Sequence, residues 1–461
     1  MTNHAHEEQR RQIGRRVHHD ALAGWIRRTD PTRPLHYEGA VFHAGWADGG
    51  RAASDIVCPM YPPIDAIRLY GEKALGDRPL IMCEYSHAMG NSNGSLADYW
   101  DVITSTPGLQ GGFLWEWKDH GIVKRLGDGT TRLAYGGQFG DEPHDGNFVA
   151  DGLVSSYGEP HPAMREVAWV YRPVVVTSAG RGRVRVENRM AFTSTASLRA
   201  EWELLVAGQR VRGGKWRLAG VEPLATRAVE LPCSLPEGDG EAQLTVRWFG
   251  QVCGVEQLVA WDQVELRKRR TARASVGSAA DITPQLTLWR AATDNDGFKL
   301  LPDLRERIGV GGRALTQWLA AGVDHRPADE LVQHTHRQKG ALHDHVVLVP
   351  DHLDDLPRIG VTFTLPARFT QVRWFGRGPH ENYPDRNASA LLGVWESSPD
   401  EMPYLVPQEF GLRTDCRWFE LIDPKRGEVI RVESAGAPLH CSATHFTAAD
   451  LYGASTATEL M

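Results

Sequence analysis

Pro79-Leu-Ile-Met-Cys-Glu-Tyr-Ser-His-Ala-Met-Gly-Asn-Ser92 decides how the rest of the chain is read. Leu80, Ile81, Met82 and Cys83 follow a proline with no polar alternation, which predicts a strand covered on both faces, as in a parallel sheet. The run stops at a carboxylate, Glu84. Where parallel strands build a barrel, the chemistry sits at their C-terminal ends. Glu84, Tyr85, His87 and Asn91 are therefore expected on a functional loop face. Downstream, Ser95-Leu-Ala-Asp98 has the spacing of a capping box and predicts the start of the next helix.

Upstream, residues 1–16 are polar, basic at their end and without apolar period, and are expected to be disordered. Leu22, Trp25 and Ile26 fall on one helical face between His18 and Arg28. Strands are then expected at Leu35–Glu38, Ile56–Met60, Leu80–Glu84 and Phe113–Trp117. Helical patterns over Ile64–Leu75 and Leu96–Ser105 separate the last three, and that alternation reads as parallel βα units. Beyond Pro162 the period changes to two. Arg183–Asn188, Leu198–Val206 and Gln243–Phe249 alternate between Gly-rich turns, so 163–267 reads as an antiparallel β-sandwich. A basic linker, Lys268-Arg-Arg-Thr-Ala-Arg-Ala-Ser275, precedes further strands. The fold class expected is multi-domain, α/β followed by all-β.

Composition excludes several functions. The formal charge of −7 is spread over interspersed acids and bases, which gives no nucleic-acid footprint. No apolar run approaches a membrane span, and the N-terminal residues have no signal-peptide core, so a cytoplasmic location is expected. Cysteines 58, 83, 233, 253, 416 and 441 form no C-x-x-C pair and are expected to be reduced thiols. Fifteen tryptophans in a chain of this kind suit stacking on sugar rings.

Cys83-Glu-Tyr-Ser-His-Ala-Met-Gly-Asn-Ser92 resembles the nucleophile signature of the large bacterial β-galactosidases of glycoside hydrolase family 2. The resemblance extends through Leu288-Trp-Arg-Ala-Ala-Thr-Asp-Asn-Asp-Gly297, Trp374 to Arg386 and Pro403 to Asp415, and so covers residues 17 to about 455. It implies the C-terminal half of a (β/α)8 barrel, strands 5–8, over 17–162. An immunoglobulin-like sandwich over 163–267, a linker over 268–284 and a shortened β-supersandwich over 285–461 would follow. It also implies that the first four barrel strands lie outside this sequence, and with them the acid/base glutamate that the family carries in an Asn-Glu dipeptide. No Asn-Glu occurs in the 461 residues, and Arg10 to Arg16, where that motif would be, is expected to be foreign or out-of-frame sequence.

By the same resemblance Glu84 is the nucleophile of a retaining glycosidase, Tyr61 hydrogen-bonds it, His87 and Asn91 bind sugar hydroxyls, and Trp115 floors the sugar ring. Retention requires a second carboxyl ~5–5.5 Å away. Glu116 is the nearest in sequence but is expected behind the site, between Trp115 and Trp117. The loop Gly136 to Gly152 resembles the family's sodium loop, with a carbonyl from Phe148 and a carboxylate from Asp151. The family's magnesium ligands would all lie upstream of residue 17. Asp294-Asn-Asp-Gly297 is expected to be an exposed turn, and His380 and Glu381 to be turn and interface residues. The activity implied is hydrolysis of β-galactosides such as lactose. Self-association or a complementing upstream chain is the expected partner, and the alternative is an inactive remnant. β-Glucuronidases fit less well, since they end soon after the barrel and lack the His-Ala-Met-Gly-Asn segment.

Overall fold

A computed structural model describes residues 17–42, 46, 49–73, 75–180, 182–270, 282–301 and 314–460. The expected disordered leader, 1–16, and most of the expected linker, 271–281, lie outside the described residues. The described residues divide into two compact bodies, one within 17–88 and 93–118, the other within 89–92 and 119–460. Among the described residues no helix is long and apolar enough to cross a membrane, and all six cysteines are free thiols.

The first body is α/β. Strand β1 (Leu80–Tyr85) runs parallel to β2 (Leu109–Leu114), with Leu80 opposite Leu109 and Tyr85 opposite Leu114. The other edge of β1 takes parallel bridges from Val57 to Leu80 and from Met60 to Glu84. Three consecutive segments thus run side by side in one direction. A helix over 17–29 precedes them. The helices between the segments, Ile64–Glu72 and Leu96–Ser105, bury Ile67 and Tyr70, and Leu96, Val102 and Ile103.

Local chemistry displaces several expected elements. Ile56–Met60 makes bridges rather than a strand, because Pro59 has no N–H to give a ladder, although its carbonyl still accepts from Cys83 N at 3.1 Å. Leu35–Glu38 is also not a strand. There the Ser54 hydroxyl and the Asp55 carboxylate take the backbone bonds, binding the N–H of Tyr37 at 3.1 Å and of Leu35 at 2.8 Å. Phe113–Trp117 was expected as a strand, but β2 lies earlier, at Leu109–Leu114. Its glycines break the apolar pattern and are needed for close approach, since a Cβ at Gly112 would sit 2.7 Å from that of Met82. β1 is covered more fully on one face than the other, with Leu80 and Met82 buried and Ile81 and Cys83 half-open. The helix at Leu96 begins where expected but without the capping box. Ser95 is left-handed, at φ 56°, and its hydroxyl caps nothing.

The second body is mostly β. Strands β3 (Ile122–Arg125) and β4 (Thr131–Ala134) form a hairpin, and the helix Pro162–Val170 follows. β5 (Val174–Gly180), β6 (Arg183–Asn188) and β9 (Thr226–Glu230) make one antiparallel sheet. β7 (Arg199–Val206), β8 (Gln209–Trp216), β10 (Ala242–Val252) and β11 (Val255–Arg267) make a second, in the order β11-β10-β7-β8. Residues from both sheets, among them Val176, Val186, Ala200, Leu244, Val246 and Trp248, close one core.

Beyond it come the pair β12 (Gln285–Thr287) with β15 (Gly360–Thr362) and the hairpin β13 (Gln333–Lys339) with β14 (Leu342–Leu348). A four-stranded sheet has the order β17-β16-β19-β20, from Gln371–Gly378 (β16), Leu391–Ser397 (β17), Trp418–Asp423 (β19) and Glu428–Glu433 (β20). Beside it β18 (Arg413–Cys416) pairs with β21 (Leu439–Cys441). The sandwich is pinned to this region by Arg417, whose guanidinium grips Glu241 at 2.8 and 2.6 Å, and by Trp261 Nε1, which donates to the Ser389 carbonyl at 2.8 Å.

Candidate active site and its supports

In the first body the C-terminal ends of the three parallel segments converge on Glu84. The Tyr61 N–H donates to the Glu84 carbonyl at 2.8 Å, which places Tyr61 at the end of the first segment level with Glu84 at the end of β1. Trp115 follows β2 directly, and its N–H donates to the Tyr85 carbonyl at 3.4 Å. The loop after β1 folds back over these ends, where the Ala88 N–H donates to the Trp115 carbonyl at 2.7 Å. That return brings the His87 ring perpendicular to the Tyr61 ring, with centroids 5.9 Å apart. Glu84, Tyr61 and His87 are each half-buried and Trp115 is 40% exposed, so a carboxylate, a phenol, an imidazole and an indole share an open strand-end face.

This assortment suits a polyol. An indole face packs against sugar C–H groups, the phenol and imidazole donate or accept with hydroxyls, and the carboxylate supplies charge or a nucleophile. Just beneath, burial pushes the Cys83 thiol up to about 12, with the carboxylates of Glu38 and Glu84 adding to the effect. It stays a neutral packing group. Glu116, half-buried, stands beside Trp117, which is 63% exposed.

Asn91 belongs to the second body and is spent on packing. It is 8% exposed. Its amide donates to the Glu409 carbonyl at 2.8 Å, its Oδ1 accepts from Arg386 at 2.8 Å, and its N–H donates to Gln408 Oε1 at 3.0 Å. These contacts hold the segment 89–92 in a buried polar network. Gln408 also donates to Asp294 at 2.8 Å, and Asn147 reaches the other oxygen of Asp294 at 2.8 Å. Asp294 is thus buried, which corrects the expected exposed turn. Gly90, at φ +60°, fits here only without a Cβ, which would come within 2.5 Å of Asp294 and Gln408. Glu381 joins the network through Arg386 at 3.0 Å, the Gly411 N–H at 2.6 Å and the Tyr404 hydroxyl. Arg386, Gln408 and Glu409 were not singled out in the sequence. Their one signal is their place in the blocks Trp374 to Arg386 and Pro403 to Asp415 that carry the resemblance.

The glycine-dense loop brings Phe148 against Phe298, with ring centroids 4.8 Å apart, and sets Asp151 2% exposed. A carboxylate this deep requires donors or a counter-charge. A backbone carbonyl at 148 and a carboxylate at 151 are both hard oxygen donors, and that donor set fits a hard cation.

Three family models tile the chain. One described as glycosyl hydrolases family 2, TIM barrel domain, matches residues 4–176. A second, β-galactosidase domain 4, matches 184–267, and a third, β-galactosidase small chain, matches 264–461. Among curated proteins, a β-galactosidase of Klebsiella pneumoniae is 33% identical, the match covering 87% of this chain and 46% of that one. A β-galactosidase of Priestia megaterium is 32% identical, covering 88% and 45%. The chain spans about half the length of the curated relatives it matches. A solved β-glucuronidase 3 of Bacteroides uniformis matches at 12% identity over 92% of this chain and 47% of that one, with a TM-score of 0.25.

Proposed function

Because the chain belongs to glycosyl hydrolases family 2, with a barrel domain followed by β-galactosidase-type β domains, we propose that it carries the nucleophile side of a retaining β-galactosidase. In this reading 17–162 is the second half of the barrel, 163–267 an immunoglobulin-like sandwich and 285–461 the supersandwich. The observation that carries the proposal is the position of Glu84, at the end of the middle of three parallel segments with Tyr61, His87 and Trp115 around it.

In the first step a Glu84 oxygen attacks the anomeric carbon of a β-galactoside. The bond to the leaving oxygen breaks, and that oxygen takes a proton from a second carboxyl. Water then attacks the glycosyl ester with the same carboxyl as base, which frees galactose and restores Glu84 with net retention. Trp115 floors the ring and His87 meets a hydroxyl, while Tyr61 orients the carboxylate. Asn91 is a strut of the loop rather than a sugar ligand. Sodium would be held by the Phe148 carbonyl and the Asp151 carboxylate, where its charge would offset that of the buried acid.

The proton donor is the missing part. No Asn-Glu dipeptide occurs in the sequence, and we assign the donor to a segment outside these residues, brought by a complementing chain. The strand-end surface beside the site is apolar, with Phe113 62% and Trp117 63% exposed, and would accept such a partner. Without it the chain is an inactive binding remnant.

A 2-deoxy-2-fluoro-β-galactosyl fluoride tests the nucleophile apart from the donor, because fluoride departs with little need of a proton. Peptide mass spectrometry of the full chain is expected to find the fluorosugar on Glu84, and none on the Glu84→Gln variant. A label on another carboxyl, or equal labelling of both proteins, would overturn the assignment.

A further inference from the structure

The hairpin β13–β14 carries four histidines on one face. His334 and His336 are two residues apart on β13, His343 and His345 two apart on β14, and His336 stands directly opposite His345 in the register. Residues spaced by two share a face of a strand, and opposed residues bring their Cβ atoms within ~5.5 Å. The imidazoles stack as one pile, with ring centroids 5.3 Å apart for His334 and His345, 4.3 Å for His336 and His345, and 5.2 Å for His336 and His343. Ligand nitrogens of His336, His343 and His345 all lie within 4.8 Å of one another.

We propose that His336, His343 and His345 form a site for a divalent late transition ion such as Zn2+, with water in the fourth position. Neutral imidazole is a preferred ligand of these ions. Zinc holds nitrogen at about 2.0–2.1 Å, which sets neighbouring ligand nitrogens of a tetrahedron about 3.3 Å apart. His336 Nε2 and His343 Nδ1 already stand 3.0 Å apart. The ion would take the place of the proton between them.

The third ligand is oriented from behind. His345 Nδ1 meets His334 Nε2 at 3.1 Å, and His334 Nδ1 meets Asp329 Oδ1 at 3.0 Å. That carboxylate–imidazole chain fixes the His345 ring and leaves Nε2 as its ligating atom. His345 Nε2 is buried and has no hydrogen-bond partner among the described residues. Ordinary packing needs none of this, since an exposed hairpin is served as well by threonines.

Titration calorimetry of the untagged, chelator-treated full chain with ZnCl2 at pH 7.5 is the test. One equivalent is expected to bind at this site. His336→Ala with His345→Ala should weaken it at least thirtyfold, and His334→Ala, which removes only the orienting contact, about tenfold. Binding by the double variant within threefold of the parent would overturn the proposal, as would no binding by the parent. Co2+ gives a second reading on the unmutated chain. Strong visible bands of a four-coordinate ion are expected, and the faint spectrum of six-coordinate cobalt would refute the site.

Discussion

His380 makes the stability of the second body depend on pH in a way that can be worked out in advance. Its ring lies among the guanidiniums of Arg165, Arg386 and Arg413, with Nε2 3.1 Å from the Ser389 hydroxyl. Nδ1 is buried without a partner among the described residues. A second N–H on that ring would have no acceptor, and a positive charge would face three others. Burial first, and the arginines after it, push the His380 pKa down to about 3. In the unfolded chain it returns to about 6.5. Between these values the unfolded state binds a proton that the folded state refuses, so this contribution is present above pH ~6.5 and is lost as pH falls toward 3. The slope reaches about 1.4 kcal/mol per pH unit, and integrated over the titration it makes roughly 2.7 kcal/mol between pH 7.5 and 4.5.

The perturbation is His380→Gln, which keeps a polar group near Ser389 and removes the titration. Urea unfolding of both proteins at pH 7.5, 6.5, 5.5 and 4.5 isolates the effect, because every other titrating group cancels in the difference. The variant is expected to be about 1 kcal/mol less stable at pH 7.5, the worth of an ordinary lost hydrogen bond. At pH 4.5 it should be the more stable of the two, by roughly 1.7 kcal/mol. A gap that stays constant within ~0.5 kcal/mol across the series would mean that folded His380 takes up a proton as readily as the unfolded chain, and would refute the reasoning.

The remaining predictions concern the site and the sandwich. The purified chain is expected to turn over lactose hardly at all, since general acid assistance is commonly worth about 10²–10⁴-fold. A nitrophenyl galactoside, whose leaving group needs no proton, should give a burst and then stall, and azide should release β-galactosyl azide. Steady lactose turnover that Glu116→Gln abolishes would make Glu116 the donor and overturn this account. In the sandwich, Asp262 holds Arg172 at 2.9 Å and the Val176 N–H at 2.7 Å, with both charged side chains 6% exposed. Asp262→Ala strands a buried guanidinium and should cost about 3–5 kcal/mol in urea unfolding. Arg172→Met with Asp262→Asn should recover most of that, and a double variant as unstable as the single would show that charge is not the cause.

Periodicity made part of the fold legible. Arg183–Asn188 is a strand over the residues expected, Leu96–Ser105 is a helix over those expected, and β1 ends one residue after Glu84. What failed did so where single residues override a pattern. Pro59 and Ser54 turned two expected strands into irregular backbone, and a glycine pair hid the first half of β2. The hairpin Ile122–Ala134 is not legible because four-residue strands that bury only Ala134 carry no apolar alternation to read, although Asp128-Gly129 marks its turn.

The polar network lies beyond any local pattern. Asn91 meets the Glu409 carbonyl across 318 residues of sequence and Arg386 across 295. No window of sequence spans such a pair, and an asparagine after a strand looks the same whether its amide faces a sugar or a guanidinium. The difference is made by the partners. Arg386 and Gln408 are themselves buried, and a buried guanidinium or carboxamide must have its hydrogen-bonding groups met. The Asn91 side chain accepts from Arg386 and donates to the Glu409 carbonyl, so turning it to substrate would take an acceptor from the one and a donor from the other. Its role was therefore set by what the far blocks required, and only the folded chain could show it.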